Sequence, residues 1–385
     1  MIGKARQIDT GEWVKVDIAD GKIAAVEDAE GPDEIRDDDP WVAPAFWDIQ
    51  TNGRWGISFS APDLTVDQVV EVVRAQAHLG TARLCPTLIT AMPDATIHGV
   101  RTIAQACDAH PDVASMILGI HLEGPYLSEI DGYRGAHPIA AIRDPDRGEF
   151  EAIQAASGGR VVMMTLAPER PGSLPFIEWL VARGVAVAVG HTAADGATLR
   201  AAAASGARLS THLGNGIASP LPRHPNPIWD QAALDELWAS VIADGHHLEP
   251  CVLKTLVRAK TPERVILVSD ASPLAGLPPG RHGEWEVVPE GKVVVAGTPY
   301  LAGAMQGMAE GTDALIRVAG LTPAQAIAAG TKHPARFLGR PDPAIEPGQP
   351  ANLIRFRLGG RPAFELTEAC VDGRWVKADD APARE

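Results

Sequence analysis

Cysteine is scarce in the 385-residue chain, with only four at Cys85, Cys107, Cys251 and Cys370, and aromatic residues make up 5%. None of the four cysteines forms a C-x-x-C pair, which argues against a zinc ribbon or a disulfide framework; they read as buried, reduced thiols. No segment approaches the roughly 20 uninterrupted apolar residues that a membrane helix needs. The opening residues MIGKARQIDTGEW lack the basic-then-apolar pattern of a signal peptide. A cytoplasmic location with no membrane partner is the expectation. Positive charge is also in short supply: 34 basic residues face 49 acidic ones, for a formal net charge of −15. A general nucleic-acid binder needs a basic face, so that class is excluded. An anionic small molecule is not, because a few local cations can dominate a pocket. The dinucleotide fingerprint G-x-G-x-x-G, the P-loop and the G-x-S-x-G elbow are all missing.

What is present is a long chain, 45% hydrophobic, with 38 glycines, 32 prolines and 12 histidines. That length accommodates a large barrel plus a small partner domain and a sizeable core without disulfide staples. Short β-branched apolar runs recur, each followed by a turn and a helical pattern. Candidate strands are 42–50, 82–88, 116–122, 161–166, 185–190, 207–212, 239–243 and 265–269. Their nearly continuous hydrophobicity is that of buried parallel strands. Between them lie helix signals. Thr65-Val66-Asp67-Gln68 is a capping box, and Thr322-Pro323-Ala324-Gln325 combines a second one with proline at the first helical position. Eight such strands alternating with helices predict an α/β fold, a (β/α)8 TIM-like barrel, over residues 44–346. The two ends differ from the middle. Residues 1–43 and 347–385 carry short strand-like pieces with hairpin signals at Asp20-Gly21 and Asp372-Gly373. Neither end has enough apolar material to fold alone, so together they are expected to form one small β-sandwich domain.

The polar residues of interest cluster at the C-terminal ends of the expected strands, where barrel enzymes build their sites. They are His121-Leu122-Glu123, Gly190-His191-Thr192, Thr211-His212, Asp244-Gly245-His246-His247 and Asp270. Glu123, His191 and His212 supply one carboxylate and two imidazoles, a set that suits Zn²⁺ or another first-row divalent ion and leaves a position open for water. Asp270 ends an apolar strand and can serve as general base and then general acid beside that water. His137 on the long loop after the third strand, and Asn215, Arg223, His224 and His247 on later loops, are candidates for holding substrate. The proline-rich stretch 219–227, SPLPRHPNP, is stiff enough to present Arg223 at little ordering cost.

The ordered motifs PAFWDIQTNG (44–53), PTLIT (86–90), HLEGP (121–125), TLAPE (165–169), GHT (190–192), THL (211–213), IADGHH (242–247) and VSDA (268–271) resemble those of the N-acetylglucosamine-6-phosphate deacetylases of the amidohydrolase superfamily. The resemblance implies a metal-dependent hydrolase that releases acetate from an N-acetylated amino sugar 6-phosphate, and a homodimer. By motif position Glu123, His191 and His212 match the family's metal ligands, Asp270 its catalytic aspartate and His137 the histidine that polarises the acetamide carbonyl. Asn215 and His247 match substrate contacts; Gly216 and Arg223 complete the expected substrate-binding set. Arg223 falls at the arginine that binds phosphate and, in dimeric members, reaches the neighbouring subunit's site. Where many amidohydrolases carry His-x-His at the end of the first strand, this chain has Gln50-Thr51-Asn52. Amides replace imidazole poorly, so a single divalent ion per subunit is expected, Zn first, with Fe, Co or Ni alternatives. Departures at Arg54-Trp55-Gly56, Ala193-Ala194-Asp195 and Gly214-Asn215-Gly216-Ile217 bear on specificity. An amidohydrolase acting on an unphosphorylated N-acetyl sugar or an N-acyl amino acid is the first alternative, and a barrel that only binds is the second.

Overall fold

Period-two alternation places every second side chain of the apolar runs inside a barrel and the others under its helices. Met163 joins an inner cluster with Ile49, Cys85, Ala188, Leu209 and Ile266, whereas Met164 packs outward in the larger cluster beneath the helical layer. The structure is a computed structural model that describes residues 2–32 and 34–380. Met1, Asp33 and 381–385, and with them parts of the segments expected to form the small β domain, lie outside the described residues.

Eight parallel strands make the barrel: β1 (Phe46–Thr51), β2 (Thr81–Ile89), β3 (Ile120–Glu123), β4 (Val161–Leu166), β5 (Ala186–Val189), β6 (Leu209–Ser210), β7 (Trp238–Val241) and β8 (Val265–Leu267). They are hydrogen-bonded in sequence order from β1 to β8. The seam between the ends closes just past β8, where Asp270 N donates to Gln50 O at 2.9 Å and Asn52 N to Ala271 O at 2.9 Å. Closure matters because it brings both ends of the chain's alternation onto one rim.

Helices follow the sequence signals. The helix Val66–His78 starts at Thr65, whose side chain accepts from Gln68 N while the Gln68 side chain accepts from Thr65 N, the expected capping box. It buries Val69, Val70, Val72 and Val73 and gives way to β2 through Gly80 at φ +81°, where a side chain would press on Phe46 and Leu366. The second capping box opens Pro323–Ala329.

Two expected strands differ. The run 42–50 is split: Trp41–Pro44 pairs with the C-terminal segment, and only Phe46–Thr51 enters the barrel. Pro44 lacks an N–H, and the chain steps between sheets at Ala45, whose N–H bonds Asn352 O. The run 116–122 opens on Met116, the last residue of the helix Pro111–Met116; Ile117 is extended and bridges Leu84, and the strand proper is Ile120–Glu123. Pro111 at the first helical position starts that helix, and its last residue, the buried Met116, supplied apolar character that the strand reading absorbed.

The N- and C-terminal segments pair into one seven-stranded sheet in which only the Ile2–Gln7 and Trp41–Pro44 neighbours are parallel. Ala5, Val14, Val16, Ile23, Val42, Leu353 and Cys370 form a hydrophobic core of their own within this sheet. Its hairpin tips meet: the Asp20-Gly21 and Asp372-Gly373 turns touch, with Asp20 and Asp372 both at φ near +50° (50° and 46°). All four cysteines are free, but Cys251 is exposed, unlike the buried Cys85, Cys107 and Cys370. It sits at the solvent face of the helix Pro250–Lys260, whose inward positions are Leu253, Leu256 and Val257. Among the described residues, no helix is long and apolar enough to cross a membrane.

Candidate active site

Barrel closure carries Glu123 from the end of β3, His191 from just after β5, His212 from just after β6 and Asp270 from just after β8 into one cavity of about 230 Å³. His191, His212 and Asp270 are three of seven non-glycine residues with positive φ among the described residues, at 49°, 32° and 46°. Each strand therefore ends in a left-handed kink that turns its functional side chain inward. Such backbone strain, sparse elsewhere, gathers where function over-determines the geometry.

Ligand-type atoms converge at distances that suit a cation between them. Glu123 Oε1 lies 2.9 Å from His212 Nε2 and 3.3 Å from His191 Nε2, and the two imidazole nitrogens are 3.2 Å apart. All three residues are buried, and their ligand atoms lie within 4.8 Å of one another. His191 Nδ1 is 3.0 Å from the carbonyl of Tyr133, so it carries the proton and Nε2 presents a lone pair inward. His212 Nδ1 is buried without a hydrogen-bond partner. Burial opposes charge on Glu123, but the adjoining imidazoles of His191 and His212 outweigh it and hold its carboxyl well below the usual carboxylate range. An anionic oxygen beside two imidazoles in this geometry fits a divalent metal.

Gln50 and Asn52 occupy the first-strand position as donors. Gln50 Nε2 bonds Glu123 Oε1 at 3.1 Å and Asp270 Oδ1 at 3.2 Å, and Asn52 Nδ2 bonds Asp270 Oδ1 at 2.7 Å. Both bonds to Asp270 fall on Oδ1, which leaves Oδ2 to accept a proton. Burial and the charge of Glu123 push the Asp270 carboxyl up to about 6.

His137 stands across the cluster, its Nε2 3.2 Å from His191 Nε2. Its Nδ1 accepts from Thr90 N at 3.4 Å and lies 2.9 Å from Thr90 Oγ1. A backbone N–H can only donate, so His137 Nδ1 is the bare nitrogen and Nε2–H points toward the cavity. Burial, with His191 beside it, pushes this imidazole down to about 3, so it is neutral. Asn215, Gly216 and His247 also line the cavity. Gly216 has φ +61°, and a Cβ there would lie 2.7 Å from the His191 ring, so no larger residue fits.

Arg223 is not brought to this cavity; it is exposed, as is His224, on the proline-rich loop. His121, left open by the sequence, lies one inward position below Glu123. Its ring nitrogens meet Thr87 Oγ1 at 3.3 Å and Thr165 Oγ1 at 2.8 Å, inside a buried polar belt under the site. Sequence reasoning missed the wall opposite. Trp285 and residues 299–303 line the cavity from a three-stranded meander, Gly280–His282, Trp285–Val288 and Lys292–Val295. The signal was there in the Glu290-Gly291 turn between two valine runs. Tyr300 Oη donates to Asp131 at 3.1 Å, tying this wall to the loop that carries His137.

The family model of the amidohydrolases matches residues 41–377. The chain belongs to the amidohydrolase family. Within the family it is 33% identical to an N-acetylgalactosamine-6-phosphate deacetylase of Escherichia coli O157:H7, across 92% of this chain and 95% of that one. It is 37% identical to the human N-acetylglucosamine-6-phosphate deacetylase, across 77% of this chain and 74% of that one. The N-acetyl-D-glucosamine-6-phosphate deacetylase of Mycobacterium smegmatis superposes with a TM-score of 0.84 at 32% identity, covering 97% of this chain and 99% of that one. A variant of that enzyme in complex with N-acetyl-D-glucosamine-6-phosphate gives 0.82 at 33% identity, covering 94% of each. This amidohydrolase therefore shares its fold, and about a third of its aligned residues, with deacetylases of amino sugar phosphates.

Proposed function

We propose that this amidohydrolase deacetylates N-acetylglucosamine 6-phosphate, releasing acetate and glucosamine 6-phosphate. One observation carries the reading: the Glu123–His191–His212 cluster faces Asp270 and His137 across a single cavity. A divalent ion held by Glu123, His191 and His212, Zn²⁺ in this proposal although Fe, Co or Ni suits the same donors, supplies Lewis-acid polarisation of the amide and acidifies water. Asp270 takes a proton from the attacking water at Oδ2 and later delivers it to the departing amine. Its raised pKa suits both halves of that task. His137 donates from Nε2–H to the oxygen that gains charge as the amide carbonyl is attacked, and Thr90 keeps that proton on the correct nitrogen. Gln50 and Asn52 present N–H groups, which repel a second cation and support one ion per subunit.

The exposed Arg223, on a loop followed by the exposed Trp229, supports a homodimer in which each Arg223 reaches the partner's phosphate. A cytoplasmic enzyme agrees with this small-molecule chemistry. An unphosphorylated N-acetyl amino sugar is the second reading, favoured by the absence of lysine and arginine among the residues lining the cavity. The test is an acetate-release assay on N-acetylglucosamine 6-phosphate, its galactosamine epimer and free N-acetylglucosamine, run beside metal analysis. No release from any of the three sinks the proposal; preference for the free sugar replaces it with the second reading.

A further inference from the structure

The barrel has a second cavity, at the rim opposite the active site. Its volume is about 590 Å³, against about 230 Å³ for the catalytic cavity, and small-molecule sites usually fall between roughly 300 and 1,000 Å³. Leu118 stands just before β3, Val162 and Ala186 near the starts of β4 and β5, and Arg208 directly before β6. Phe337 and Arg340 come from the end of the helix Lys332–Phe337 and the turn after it. Leu118, Val162 and Ala186 also pack against the inner cluster of Ile49, Cys85, Met163 and Ala188, so the barrel core separates this rim from the catalytic one.

The charge of this cavity runs against that of the chain. Its wall holds Arg208 and Arg340 and no aspartate or glutamate, in a protein of formal net charge −15. Other arginines of the same loops are paired: Arg160 with Asp108 at 2.6 Å, Arg183 with Glu151 at 4.0 Å and Arg336 with Asp342 at 2.6 Å. Asp342 lies close to Arg340 in sequence, yet both Nε and Nη2 of Arg336 occupy it. Arg208 and Arg340, both exposed, enter no ion pair among the described residues. Arg208 is nevertheless held in place. Its Nη2 donates to Phe337 O at 2.9 Å, and its guanidinium carbon lies 5.7 Å from the centre of the Phe337 ring.

We propose that this cavity binds a phosphate monoester with a compact apolar body, its phosphate on Arg208 and Arg340 and its body against Leu118, Val162 and Phe337. Guanidinium forks match phosphate oxygens bidentately, and two of them on one wall suit a dianion. The apolar wall supplies the rest of the contact and disfavours a bare, fully hydrated ion. Barrel enzymes do their chemistry at the C-terminal rim, so this site binds and does not catalyse.

The experiment is isothermal titration of the intact protein with phenyl phosphate, inorganic phosphate and phenol. Phenyl phosphate is expected to bind at least roughly tenfold more tightly than inorganic phosphate, because its ring leaves water. Phenol, without the anion, should give no heat of binding. Arg208→Gln and Arg340→Gln should each weaken phenyl phosphate by about tenfold or more. Both variants should melt near the wild-type temperature when no anion is present. Arg340 makes no side-chain hydrogen bond among the described residues, so Arg340→Gln still decides the matter if Arg208→Gln, which loses the bond to Phe337 O, does not fold. Wild-type affinity in a folded Arg208→Gln or Arg340→Gln protein would place the anion elsewhere, the catalytic cavity included, and overturn the assignment. Inorganic phosphate binding as tightly as phenyl phosphate would leave the apolar wall without a role, and phenol binding as tightly would leave the arginines without one. Either result overturns the proposal, as does a wild type that binds none of the three.

Discussion

His191 and His212 hold their Nε2 atoms 3.2 Å apart while both face the same carboxylate oxygen of Glu123. Three acceptors drawn together in a buried site are stable only when a cation or shared protons neutralise them. The purified protein is therefore expected to carry one divalent ion per chain. Chelation should abolish acetate release and lower the melting temperature, and re-adding metal should restore both. An ion present at 1,000 times its Kd stabilises by about 4 kcal/mol. Glu123→Gln, which removes the anionic oxygen, should purify without metal; full occupancy in that variant would count against the ligand set.

Asp270 is expected to matter for chemistry and not for metal retention. Its Oδ1 is held by Asn52 and Gln50, so Asp270→Asn can keep those contacts while losing the base at Oδ2. Turnover should fall by roughly 100-fold to 10,000-fold, with metal content unchanged by elemental analysis. Wild-type turnover at full occupancy would remove Asp270 from the mechanism.

Arg223 lies outside the cavity of its own chain, so its contribution should appear only across subunits. Arg223→Ala should weaken the phosphorylated substrate by about tenfold or more relative to the free sugar. Mixing Arg223→Ala with Asp270→Asn under conditions that exchange subunits should recover activity, because one site then has its own Asp270 and the partner's arginine. No recovery from exchanged dimers would place the phosphate contact elsewhere.

Asp48 offers a pH test away from the ligands. Its carboxyl accepts from Gln50 N, Ser269 N and the Ser269 hydroxyl at the barrel seam. Burial nevertheless outweighs these bonds and pushes it from 3.8 up to about 7. A carboxyl raised in the folded state contributes stability that is intact below pH 3.8 and lost as pH rises through about 7. Wild type should therefore lose stability relative to Asp48→Asn between pH 4 and 8, by at most roughly 4 kcal/mol. Melting temperatures of the two proteins across that range provide the measurement, and a constant difference would contradict it.

Legibility in the sequence followed the range of the interactions. Apolar runs, capping boxes and Asp-Gly turns are local, and they located the eight barrel strands, the helix starts and the paired ends. Errors came where one local pattern has two readings, as at Met116, which ends the helix Pro111–Met116 yet continues the apolar run toward β3. The metal-type cluster was legible because β3 ends on Glu123 and His191 and His212 follow directly after β5 and β6, and a closed barrel leaves those ends nowhere else to go. The wall at Trp285 and residues 299–303 was not, because its place over the cavity depends on contacts such as Tyr300 to Asp131, 169 positions apart.

The sequence alone determined a barrel with few cysteines, little positive charge and a row of histidines and carboxylates at its strand ends. Tertiary structure decided which of those histidines share a site. His121 and Glu123 point inward from the same strand, yet one is sealed in a hydroxyl belt and the other meets two imidazoles. The scarcity of positive charge also took its meaning there: Arg223 is turned to solvent, and His247 is left with Asp244 behind it at the cavity. Alternation says only that a side chain points inward; depth along the barrel axis and the neighbours contributed by other strands decide what it meets.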